Sequence, residues 1–315
     1  MKKSLVIIIF LIFFASLTAQ NSIKPYINWD NIKNPIYEHK DWCVKDAAMA
    51  YDKGWFYLYF SAFFYDSGKE RSHLVSVRTR DFIRYSEPLF IWSGMEKGWE
   101  GLASPDIVKY EGTYYLTYNT WGDKPGKPNQ LFYATSKDLK KWDTYKPLAQ
   151  NVTKGLRSID AALAFDNKKI YLVFKMGQVS QIAVADSIES YDWKLIGRPL
   201  GKIWFENGQF IHIDSCWYLL STQKRHEPYL AKMSDNIKSI NDWLKYETPE
   251  KCVVPVESFN SDESSNAASI YDFRSDNGFF YLLYAGRTEG LSHAGRGDNK
   301  LGLARSKDKI TWEIP

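Results

Sequence analysis

Five segments of this chain repeat one pattern: an acidic or amide residue, an apolar run, a tight turn, and a second run dense in aromatic side chains. They begin at Asp46, Asp106, Asp160, Glu206 and Asn266, so the leading residues stand 60, 54, 46 and 60 positions apart. A unit of this length cannot cover its own apolar faces, and neighbouring copies must cover one another. Turn residues fall where hairpins need them, as in Asp52-Lys53-Gly54 and Glu111-Gly112. Behind each hairpin comes an apolar strand that runs into a Ser, Thr or Asp turn with an aromatic residue a few places on. The clearest copies are 131–142 and 301–312, with weaker ones at 73–85, 181–193 and 229–243. An outer strand such as 87–92 then completes four strands per unit. The pattern predicts an all-β, five-bladed β-propeller. The high aromatic content, 16% of residues, suits pleated, half-buried strands. A β-sandwich or two small β domains would not need a polar residue at one place in every hairpin, and no Pro/Gly/Ser-rich linker divides the chain.

The first residues have a different character. Met1-Lys2-Lys3 precedes an apolar run from Leu5 to Ala15 and a small, polar stretch that ends Thr18-Ala19-Gln20. A run of that length is short for a membrane span and has the form of a secretory signal cleaved near Ala19. The expected organisation is a signal over residues 1–19 and a single propeller over 20–315, acting in a secreted or periplasmic setting with no membrane attachment after cleavage. The full chain carries a formal charge of +4, and loss of two lysines with the signal leaves +2. Basic residues cluster only in pairs such as Lys140-Lys141 and Lys168-Lys169, so no stripe exists to replace phosphate counterions and no nucleic-acid partner is expected. Three cysteines, Cys43, Cys216 and Cys252, allow at most one disulfide, with Cys43–Cys252 and Cys216–Cys252 the pairings weighed against buried free thiols. No Cys/His spacing suggests zinc. The Arg296-Gly297-Asp298 tripeptide and the Asn151-Val152-Thr153 sequon are too short to carry a function here.

In a propeller the innermost strands run in one direction along a central channel, so equivalent positions form a ring. If Asp46, Asp106, Asp160, Glu206 and Asn266 open their inner strands, four carboxyl groups and an amide converge on one mouth. Like charges and desolvation make that costly for stability alone, so the ring points to chemistry. Glycoside cleavage needs such a set: one carboxyl gives its proton to the leaving oxygen while another, ionised, activates water or attacks the sugar.

At this point the residues resemble a known family, the five-bladed propeller glycosidases of glycoside hydrolase family 43. The likeness covers essentially the whole mature chain. Ala103-Ser104-Pro105-Asp106 is similar to that family's blade-two signature, and 113–116 to its aromatic second strand. The resemblance implies an Asp general base at Asp46, an orienting and pKa-modulating Asp at Asp160, and a Glu general acid at Glu206, acting by single-step inversion. It implies a carbohydrate substrate, of α-L-arabinofuranosidase, arabinanase or β-xylosidase type, and no required cofactor. Some members hold a structural calcium in the channel, for which no ligand set is readable in this sequence. There are departures. Asp46-Ala47 and Asp160-Ala161 stand where the family commonly has Asp-Pro, and Glu206-Asn207-Gly208 stands where it has Glu-Gly-Pro. A sister family of five-bladed enzymes acting on marine galactans fits nearly as well, and a non-catalytic carbohydrate-binding propeller is the rival from another class.

Sugar sites use aromatic faces and hydroxyl-binding polar groups. By their places around the hairpins, the candidate substrate-binding residues are Asp106, Trp42, Phe63, Trp121, Arg287, Asn266 and His293. Phe64, Trp204 and Arg157 lie close in sequence to the same mouth, and His212 sits inside an apolar strand.

Overall fold

The computed structural model describes residues 26–124, 126–234 and 237–315. The export signal read in residues 1–19 lies outside them. Blade one contains β1 (Cys43–Asp52), β2 (Trp55–Asp66), β3 (Lys69–Thr79) and β4 (Phe90–Trp92). Blade two contains β5 (Gly101–Tyr110), β6 (Thr113–Trp121), β7 (Leu131–Ser136) and β8 (Asp143–Pro147). In blade three these are β9 (Ser158–Asp166), β10 (Lys169–Met176), β11 (Val179–Ala185) and β12 (Lys194–Gly197). Blade four has β13 (Glu206–Ile213), β14 (Cys216–Thr222), β15 (Pro228–Lys232) and the short β16 (Glu250–Lys251). Blade five has three strands, β17 (Glu263–Phe273), β18 (Phe279–Arg287) and β19 (Asn299–Ser306). Within each blade the strands are antiparallel neighbours in chain order.

The fourth strand expected in blade five is replaced by the two ends of the described chain. The Ile36 amide donates to the Leu301 carbonyl at 2.8 Å, and the Leu301 amide donates to Tyr37 at 2.9 Å. Beside them the Asn34 side chain imitates a strand peptide, accepting from the Leu303 amide at 2.8 Å and donating to its carbonyl at 3.0 Å. At the far end of β19, Arg305 pairs with Glu313. This staple covers an edge that would otherwise expose unpaired backbone.

The core is divided into large clusters between successive blades, which explains why the strands read as nearly continuous apolar runs. Tyr59 and Leu74 of blade one meet Leu102 and Tyr118 of blade two. Tyr133 and Leu148 meet Leu163 and Phe174. Val173 and Ile182 meet Phe210 and Trp243, and Leu220 and Leu230 meet Leu282 and Tyr284. Finally Phe60 and Val75 of blade one meet Leu283 and Leu301 of blade five, and the ring is closed. Both faces of each sheet are thus buried, which removes the need for polar alternation. Blades one and two also touch through backbone, at a parallel bridge between Ser72 and Gly101. A β-carbon on Gly101 would lie 2.2 Å from the Ser72 carbonyl oxygen, so this approach requires glycine.

The second repeated motif has a plain local cause in blades one, two and five. The hydroxyls of Thr79, Ser136 and Ser306 each accept the amide three residues on, at 2.9 Å. The carboxylates of Asp81, Asp138 and Asp308 accept two further amides each, turning the chain from the third strand toward the outer edge. All three cysteines are free thiols, with Cys43 and Cys252 buried. Cys43 donates to the Gly295 carbonyl at 3.0 Å and accepts from the Asn299 amide at 3.4 Å, tying blade one to the loop after β18.

Candidate active site

Every inner strand is broken by a bulge at the same height. The β1–β2 ladder steps from Lys45 opposite Ser61 to Ala48 opposite Tyr59, leaving two residues facing one. The same step separates Ala103 from Asp106, Ile159 from Ala162, Glu206 from Gln209, and Asn266 from Ser269. The first bulged residue is left-handed in all five: Asp46 (φ 53°), Ser104 (54°), Asp160 (58°), Asn207 (46°) and Ala267 (44°). Asp and Asn tolerate that region better than most residues, and bulges of this kind re-aim side chains at functional sites.

This register corrects the ring expected from the sequence. Of the five, only Asp46 and Asp160 occupy the bulge position itself. Asp106 stands two residues beyond the bulge position of its strand, whereas Glu206 and Asn266 stand one residue before it. Matching the hairpins by their first polar residue could not reveal this, because a bulge inserts a residue without changing the apolar pattern on either side.

The bulges also show how adjacent blades are locked. The residue paired with the position before the bulge receives the next blade's bulged amide. Ser61 accepts from Ser104 at 2.8 Å, Asn119 from Asp160 at 3.0 Å, and Thr222 from Ala267 at 3.0 Å. Changing Thr222 to Val keeps the shape but leaves a buried amide without its acceptor. Urea unfolding should show a loss of about 1–3 kcal/mol at an unchanged m-value.

In blade three the same place holds Lys175, opposite Ile159. A lysine cannot accept a hydrogen bond. The Asn207 amide turns instead to the Asp160 carboxyl at 3.3 Å, and Lys175, 3% exposed, forms an ion pair with Glu206. The Glu206 side chain keeps 27% of its surface open. Sequence reading missed Lys175: it ends the apolar run Ile170-Tyr-Leu-Val-Phe-Lys175, and its register with Ser61 and Asn119 is set by the bulges.

Beside the Lys175–Glu206 pair is a channel cavity of about 20 Å3, open to solvent and lined by Asp46, Ser104, Asp160 and Asn207 at the bulge level. Asp106, Gln209 and Ser269 line it one step further along their strands. Burial, then the Glu206 and Asp46 carboxylates, push the Asp160 carboxyl up to about 7, against the Ser104 hydroxyl and the Lys175 ammonium. Asp160 thus feels the charge of both acids; Asp46 and Asp160 line the channel cavity, while Glu206, next to the lining residue Asn207, is not part of that lining. Lys45 lies 3.9 Å from Asp46. Asp106 also rises to about 7, through burial, with the Ile107 amide and the Gln209 side chain opposing. The small surface Asp106 keeps faces the channel interior. The Asp160 carboxyl is thus the raised one beside Asp46, while Glu206 is paired with Lys175.

The remaining predicted substrate contacts stand away from the lining. Phe63 is buried with Cys43, Ala103 and Ala294, edge-on to Trp121 at 4.9 Å, so it is core. Arg287 gives its guanidinium to Asp262 at 2.7 Å. His293 bonds Glu70 at 3.1 Å, joining a blade-five loop to blade one. Trp42 stacks on His39 at 3.9 Å, and Asn266 is buried beside its bulge. Arg157 is held by Asp123 at 2.7 Å. Among the described residues no group of three or more His, Cys, Asp or Glu side chains is placed to hold a metal ion.

No family model matches the chain. It is 29% identical, over 171 residues, to a 1,2-beta-oligomannan phosphorylase of Thermoanaerobacter sp. (strain X514); the match covers 51% of this chain and 56% of that protein. The match thus spans about half the length of that curated relative. Among solved structures, a thermostable family-43 glycoside hydrolase superposes with a TM-score of 0.61 at 16% identity, covering 90% of this chain and 96% of that one. A structure reported for the GH130 family, in which mannoside phosphorylases stand beside glycoside hydrolases that target β-1,2-mannosidic linkages in Candida mannan, gives 0.61 at 18%, covering 95% and 94%. At such identity these structures establish the fold, and the likeness to propeller glycosidases read from the sequence holds at that level.

Proposed function

We propose that this protein is an enzyme that cleaves O-glycosidic bonds at the mouth of its channel, with water as the acceptor. One observation supports the reading: Asp46 and Asp160, from blades one and three, line one channel cavity, and the Asp160 carboxyl responds to the charges of both Asp46 and the blade-four Glu206. In the proposed cycle the proton held by Asp160 passes to Glu206 as substrate closes the site. Glu206 then gives it to the glycosidic oxygen as the bond to the anomeric carbon breaks. Asp46 takes a proton from the water that forms the new bond and releases it to solvent, and Asp160 takes one up from solvent to restore the starting state.

The choice of water over phosphate rests on charge. The two cations at the trio are already committed, Lys45 beside Asp46 and Lys175 to Glu206, so an inorganic phosphate would have to displace a carboxylate. For the sugar, sequence similarity to an oligomannan phosphorylase supports β-1,2-linked mannosides first, and the fold shared with an exo-1,5-α-L-arabinanase and a β-xylosidase/α-arabinofuranosidase supports arabinan, α-L-arabinofuranosides and β-D-xylosides as the second class. With residues 1–19 read as an export signal, the proposed place of action is outside the cytoplasm.

The deciding experiment incubates the purified protein with β-1,2-mannobiose, arabinan and aryl pentosides, with and without 10 mM phosphate, and follows products by NMR. Free sugar should form at a rate indifferent to phosphate, with inverted anomeric configuration in the first product. Sugar 1-phosphate formed only with phosphate would replace hydrolysis by phosphorolysis.

A further inference from the structure

We propose that Trp204 is a stacking platform for the sugar on the leaving-group side of the bond, an inference that rests on Glu206 being the acid of the proposed reaction. Trp204 and Glu206 are fixed relative to each other because both engage Lys175. Its ammonium lies 4.8 Å from the Trp204 ring centroid and also pairs with the Glu206 carboxylate. The intervening Phe205 turns the other way, 2% exposed within the core between blades three and four, and its carbonyl accepts from the Ser180 hydroxyl at 2.9 Å. Trp204 is thereby directed outward, with 44% of its surface open although Lys175 occupies part of one face.

An indole held open beside the Glu206 carboxyl group matches the apolar C–H face of a sugar ring. The acid must point at the glycosidic oxygen, so the ring lying on the acid's side is the one that departs. Lys175 gives the platform a fixed tilt, and its charge polarises the indole from beneath. Trp204 therefore binds the part of the substrate that an isolated glycosyl group lacks.

The test compares wild type, Trp204→Phe and Trp204→Ala on β-1,2-mannobiose and 1,5-α-L-arabinobiose, and on the matching glycosyl fluorides, whose leaving group is a single atom. Trp204→Ala should lower kcat/KM on the cleaved disaccharide about tenfold or more, equivalent to ~1.4 kcal/mol, chiefly through KM. The loss on the fluoride should be several times smaller, and Phe should fall between. Equal losses on both substrates, or none, would overturn the platform. A second arm titrates the same disaccharides into Asp46→Asn protein with and without Trp204→Ala. Binding that weakens about tenfold supports the platform whatever the turnover, and binding that is unchanged removes it alone. If the Asp46→Asn protein binds neither disaccharide, the platform and the glycosidase reading fall together.

Discussion

Glu206→Gln is expected to lower kcat/KM on unactivated glycosides by about 10²–10⁴-fold, the usual scale of a lost general acid, and to cost stability as well. The second effect follows from Lys175, which is 3% exposed and would be left without its carboxylate. Removing one partner of a buried pair typically costs about 3–5 kcal/mol. Asp46→Asn should lose a comparable share of activity without that penalty, because it removes one of the charges that crowd Asp160. Asp160→Asn is separable again by pH. The folded-state carboxyl at about 7 lies above its unfolded value of 3.8, so the folded protein binds the extra proton. Its contribution favours folding below about pH 4 and is lost as pH rises toward 7. Thermal melts across that window should therefore fall less steeply for Asp160→Asn than for wild type. Three amide variants with shared loss of turnover but different stability profiles would show that the loss is chemical. If Glu206→Gln retained wild-type hydrolysis, its role as the acid would be finished.

Much of the architecture was open to reading because blades repeat. The spacing from Asp46 to Asn266 and the aromatic second strands each reflect a physical demand made five times, the Ser136 and Ser306 turns one made in three blades, and repetition averages out local ambiguity. What the repeats could not convey was register. A bulge such as the one at Asp160 depends on where its amide finds an acceptor, here Asn119 in the blade before, and that partner lies 41 residues away. The placing of the aromatic candidates turns on a related point. Phe63 and Trp121 do lie at the ends of the right strands, but whether a ring faces the channel or its neighbour is decided by the packing of Cys43, Ala103 and Ala294 around it. Charge was the hardest to foresee. Lys175 looked like an ordinary strand residue, and only the ring geometry brings it under Glu206.

Lys175→Met should uncouple the charge of the site from its shape. Methionine approximates the stem of the lysine and keeps contact with Trp204, while the ammonium that restrains Glu206 is lost. Lys175 also lowers the Asp160 carboxyl, so without it Asp160 keeps its proton to higher pH. The alkaline limb of the pH–rate profile should move upward, the direction expected when a nearby opposite charge is removed. A purely structural lysine would change melting temperature and leave the profile where it was. Folding supplies an independent check, because Glu206 is partly open and can take up water when its partner goes, whereas Lys175 cannot. Lys175→Met should consequently cost less than Glu206→Gln, and the double variant should recover most of the stability lost in Glu206→Gln while recovering none of the turnover. Additive stability losses in that cycle would mean that the pair contributes no coupling, and the electrostatic account of the site would have to be rebuilt around Asp46 and Asp160 alone.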